Sequence, residues 1–142
     1  PLPLARRMTG HDLAAAASDL IGVPFRLHGR DPLHGLDCIG LFSLAMERCG
    51  RPVAVPAGYA LRLSRPADWL PDPDAYGFEI ARAPYVPGDV VMLAPGAGQL
   101  HLAIRGPASS WIHAHAGLRR VVAQPDLPAG RLLGHWRVSP AS

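Results

Sequence analysis

Apolar residues recur at helical spacing in two early segments. Between His11 and Ile21, the side chains of Leu13, Ala17, Leu20 and Ile21 fall on one face of a helix. Thr9 stands where an N-cap belongs, and Gly22-Val23-Pro24 ends the segment. A polar, Gly-rich loop from Arg26 to Leu36 follows. Asp37 then caps a second predicted helix over Cys38 to Cys49. Its stripe is Leu41, Phe42, Ala45, Met46 and Cys49, with Ser43 and Glu47 facing away, and Gly50-Arg51-Pro52 stops it.

Further along, the period changes. Residues 51–86 are dense in Pro and predict irregular structure with one short helix near Ala67. After the Pro87-Gly88 turn come short runs rich in branched and aromatic residues, separated by Gly or Pro: Asp89–Leu93, Leu100–Arg105, Trp111–His115, Leu118–Val122 and Leu132–Val138. Helices first and hairpin-spaced strands afterwards predict an α+β fold, with N-terminal helices packed on a C-terminal antiparallel β-sheet. The expected organisation is a loose segment over residues 1–8 and one domain over residues 9–142, in keeping with a chain of 142 residues.

Composition narrows the function. The net charge is +3, and all 14 basic residues are Arg. They are scattered singly apart from Arg6-Arg7 and Arg119-Arg120, with no basic stripe interleaved with aromatics. This argues for coding bias and against a nucleic-acid partner. No apolar run approaches the roughly 20 residues of a membrane span. No signal-peptide pattern is visible, which leaves the localisation open. The 2 cysteines are too few for a disulfide scaffold or a Cys-based zinc site.

Cys38 is placed at the first turn of its helix, where the dipole and free N–H groups favour a thiolate and lower the thiol pKa. From position alone, an inert buried thiol is the commoner outcome. Cys49 lies about 16 Å further along the axis, too far for a disulfide with Cys38, and reads as core packing. Of the 7 histidines, His101 opens a strand, and His113 and His115 alternate on the next so that they share a face. His11, His34 and His135 read as surface or hydrogen-bonded strand residues. A nucleophilic Cys needs a base, and the base needs an orienting partner. The chain has no Asn, so that partner must be His, Asp, Glu, Gln or a carbonyl.

Five motifs occur in a telling order: Gly22-Val23-Pro24-Phe25-Arg26, Gly35-Leu36-Asp37-Cys38-Ile39-Gly40-Leu41, Pro87-Gly88-Asp89-Val90-Val91, His101-Leu102-Ala103-Ile104 and Trp111-Ile112-His113-Ala114. Over about residues 11–138 this resembles the NlpC/p60 family of papain-like cell-wall cysteine peptidases. The resemblance implies Cys38 as nucleophile, His101 as general base and His113 as the polar residue that orients it. Phe25 and Asp37 are the implied substrate-binding positions. It also implies an oxyanion site at the Cys38 amide, no cofactor, and peptidoglycan stem peptides as substrate, cut at the bond from γ-D-glutamyl to a diamino acid. The sequence departs from the family pattern at Phe25 (usually Tyr), Ile39 (commonly Ser), His28-Gly29 (usually two Gly) and Ala103 (usually Gly). Small peptidases of phage tails and gene-transfer agents in this family are similar in size, a likeness that implies phage-like tail proteins as partners.

Two other readings stand beside the peptidase. One is a binding or structural module that keeps the fold without the chemistry, which Phe25 favours. The other is a metal site built from His101, His113, His115 and Cys38.

Overall fold

The computed structural model describes residues 7–53 and 76–140. The expected helix near Ala67 lies outside them, as does most of the expected loose segment. Of that segment, Met8 is buried against the core.

Helix α1, Gly10–Ser18, begins at Thr9 in a reciprocal capping box: Asp12 N–H donates to Thr9 Oγ1 and Thr9 N–H to Asp12 Oδ2. It is shorter than its pattern predicts. Leu20 and Ile21 donate to Ala17 and Ser18 in three-residue turns, which tighten the end and swing Ile21 off the apolar face into solvent. Helix α2, Cys38–Arg48, starts on Asp37 as expected and buries Cys38, Ile39, Leu41, Phe42, Ala45 and Met46. It ends in a Schellman pattern: Gly50, with φ of 78°, donates to Glu47, and Arg51 donates to Met46.

The stretch read as an uninterrupted loop contains a small antiparallel pair, β1 (Arg30–Asp31) with β2 (Gly35–Leu36). Leu33 N–H turns back onto Asp31 Oδ1 to close it. The remaining strands are β3 (Phe78–Ile80), β4 (Val90–Ala94), β5 (His101–Arg105), β6 (Trp111–His115), β7 (Arg120–Gln124) and β8 (Arg131–Val138). They form one six-stranded antiparallel sheet in the order β3-β8-β4-β5-β6-β7. Strand β3 is too short to announce itself by alternation. Strand β7 starts two residues later than predicted, because Arg119 adopts a φ of 60° and Leu118 N–H closes a turn onto His115 Nδ1.

Alternation divides the sheet between two apolar layers. Val90, Met92, Leu102, Ile104, Ile112 and Ala114 face α1 and α2, while Val91, Leu93, Ala103 and Trp111 pack with Tyr85 and Leu127 on the other side. At the end of β4 away from His101, the fully buried Asp89 is held by His135 Nε2 at 2.6 Å and by Arg137 Nε at 2.9 Å. This ties β4 to β8. At the opposite sheet edge, residues 22–25 run beside β7: Gly22 donates to Val121, Val121 to Val23, and Phe25 to Arg119.

Candidate active site

Asp37 organises the start of α2. Its carboxylate accepts Gly40 N–H at 2.8 Å, His28 N–H at 2.8 Å and the Arg30 guanidinium at 3.0 Å. Helix start and preceding loop thereby become one body. Gly40 makes the approach possible, since a Cβ there would collide with the carbonyl oxygen of Gly29. His28 takes a φ of 61°, a left-handed conformation that explains why glycine suits this position. Asp37 is 0% exposed and does not line the cleft. Burial and its internal partners make it a structural cap.

The cleft itself holds about 420 Å³ and is lined by Phe25, Cys38, His101, His113 and His115, among others. Cys38 comes from the first turn of α2, His101 from the start of β5, and His113 and His115 from β6. Phe25 is half-buried, brought there by its backbone bond to Arg119. Three elements far apart in sequence thus converge on one space.

Cys38 is only 4% exposed, and burial pushes its thiol up to about 12. The backbone N–H groups of Leu102 and Ile39 act on the sulfur in the opposite direction, but less strongly. The expectation of a thiol lowered by the helix start is thus overturned, because desolvation of the charged form exceeds what these amides return. Burial, together with the imidazoles of His113 and His115, pushes His101 down to about 4. His113 is lowered as well, mainly by burial, against its hydrogen bond to the Gln124 side-chain oxygen, which raises it. The thiol and both imidazoles are therefore neutral at pH 7.

His101 Nε2 lies 2.8 Å from His113 Nδ1, and the two rings meet edge to face at 81°. His113 Nε2 lies 2.7 Å from Gln124 Oε1, and Gln124 Nε2 donates to the Asp126 carbonyl at 2.8 Å. Gln124 was not singled out from sequence, because β7 was expected to stop at Val122. The signal that could have found it is Pro125, which marks the strand's true end. His115 stacks beside His113 at 5.5 Å, and its Nδ1 is occupied by Leu118 N–H. The two nearest imidazole nitrogens, His101 Nε2 and His113 Nδ1, point at each other. Among the described residues, no group of three His, Cys, Asp or Glu side chains could hold a metal ion.

No protein-family model and no curated protein matches the sequence. Solved structures do match. An NlpC/p60 family protein from Bacillus cereus ATCC 10987 is similar at a TM-score of 0.65 and 20% identity, over 95% of this chain and 42% of that one. NlpC1 from Trichomonas vaginalis gives 0.63 and 19%, over 89% and 44%. The NlpC/p60 domain of the peptidoglycan hydrolase SagA gives 0.53 and 22%, over 82% and 88%. The chain therefore has the NlpC/p60 fold, an α+β architecture with its helices on an antiparallel sheet. It spans less than half the length of the first two of these structures. No helix among the described residues is long and apolar enough to cross a membrane.

Proposed function

We propose that this chain is a cysteine peptidase acting on peptidoglycan stem peptides, with Cys38 as nucleophile, His101 as general base and acid, and His113 as the residue that orients His101. The observation that carries the reading is the convergence of these side chains on one cleft, at a helix start, in a fold shared with peptidoglycan hydrolases.

The mechanism follows from the neutral state of the site. As Cys38 Sγ forms its bond to the substrate carbonyl carbon, its proton passes to His101, and the carbonyl oxygen takes the negative charge. The first-turn amides of α2 are the nearest donors for that oxyanion. Gly40 N–H is spent on Asp37 Oδ1, Leu41 N–H on the Asp37 carbonyl and Ile39 N–H on the Cys38 sulfur, which leaves Cys38 N–H as the first-turn donor for that oxygen. Collapse breaks the C–N bond, and His101 returns the proton to the leaving amine. Water then attacks the acyl-enzyme with His101 again taking a proton, and the thiol leaves reprotonated. The bond favoured by the resemblance joins γ-D-glutamyl to a diamino acid. Digestion of purified muropeptides, with the products identified by mass spectrometry, tests both the activity and the bond.

The raised thiol pKa and the missing hydroxyl at Phe25 favour one second reading, a wall-binding module without turnover. Co-sedimentation with sacculi that releases no fragment would support it over the peptidase.

A further inference from the structure

We propose that Gln124 is a positioning residue that fixes which nitrogen of His101 is free to accept a proton. The inference rests on the reading of His101 as the base. Gln124 is the last residue of β7; Val122 pairs with His113 and Gln124 with Trp111. Gln124 therefore shares the face of His113 and sits diagonal to it, within reach of a long side chain.

The chain of bonds allows one assignment of protons. The Asp126 carbonyl can only accept, so the end of Gln124 that lies 2.8 Å from it is the amide nitrogen. The other end, Oε1, can only accept, so His113 Nε2 at 2.7 Å carries the hydrogen. A neutral imidazole carries one ring hydrogen, which leaves His113 Nδ1 as an acceptor. His101 Nε2, 2.8 Å away, must then be the donor. The second nitrogen of His101, Nδ1, keeps its lone pair, and a lone pair is what a base needs to receive the Cys38 proton. Without Gln124 the relay can run backwards: His113 Nδ1–H donates to His101 Nε2, the His101 hydrogen moves to Nδ1, and the base is lost. Gln124 touches neither substrate nor thiol; it acts through His113 and His101.

The test uses the full chain with Gln124→Leu and Gln124→Glu, labelled with ¹⁵N-histidine. Long-range ¹H–¹⁵N spectra at neutral pH report which ring nitrogen of each His is protonated. The expected result for the unsubstituted protein is hydrogen on Nε2 of both His101 and His113. Gln124→Leu should give mixed tautomers at both rings, and kcat on muropeptides should fall by about a hundredfold with KM within about twofold, because a mis-set tautomer removes the base without removing substrate contacts. Gln124→Glu keeps an acceptor for His113 Nε2–H, so it should restore the single tautomers and bring kcat to within about tenfold. Unsubstituted tautomers in Gln124→Leu would overturn the inference, as would a loss of kcat in Gln124→Glu equal to that in Gln124→Leu. Should no form turn over muropeptides, the peptidase reading fails, while the nitrogen spectra still decide the role of Gln124.

Discussion

The Asp37 carboxylate and the Arg30 guanidinium meet at 3.0 Å, with the acid fully buried and the base at the protein's edge. This pair joins the loop carrying His28 and Gly29 to the first turn that carries Cys38. Its weight comes from burial: removing the carboxylate leaves the amides of Gly40 and His28 without their acceptor. Asp37→Ala is expected to cost about 1–3 kcal/mol of stability, measured as a shift in the urea midpoint at constant m-value. Asp37→Asn keeps an oxygen for the cap and should cost less.

Gly40→Ala tests the same junction from the helix side. The added methyl would run into the Gly29 carbonyl, so the loop must move away from α2. A loss of about 1–3 kcal/mol is expected, with turnover falling more than the folded fraction does, since the cleft wall moves with the loop. An unchanged melting temperature would refute the close approach.

The pH dependence has a defined sign. The folded protein holds His101 near 4, whereas its ordinary value is 6.5. Between these values the unfolded chain binds more protons, so the stability present above 6.5 is lost as pH falls toward about 4. His113 adds in the same direction. Thermal melts on acidification should show this loss, and His101→Gln should lose less. With His101 as the proposed base, kcat/KM on muropeptides should be level near neutrality and fall on acidification toward about 4.

His113 and His115 share a strand face, yet their partners differ. His113 lies between His101 and Gln124, while His115 Nδ1 closes the turn at Leu118. His113→Ala should reduce kcat at least about a hundredfold and His115→Ala less than about tenfold. Equal losses would show that the two imidazoles share the orienting role.

Local chemistry made much of this legible in advance. Thr9 and Asp37 cap the helices they were expected to cap, and alternation identified the strands that carry His101 and His113. What the pattern could not convey was depth. Asp37 reads as a polar residue beside a nucleophile, and only tertiary packing reveals that its oxygens are filled from residues 28, 30 and 40. The Cys38 thiol likewise follows burial over helix position. Gln124 and the Asp89 network depend on partners brought together by strand register, which no local pattern encodes.

The proposed function assigns the chemistry on a stem peptide to Cys38 and not to Cys49. The rate of muropeptide cleavage by the unsubstituted protein, Cys38→Ala and Cys49→Ala, each shown to be folded by circular dichroism, decides between the two thiols. Cys38→Ala is expected to lose at least about a thousandfold while Cys49→Ala stays within about threefold. Cleavage by Cys38→Ala at the unsubstituted rate, or no cleavage by the folded unsubstituted protein, would contradict it.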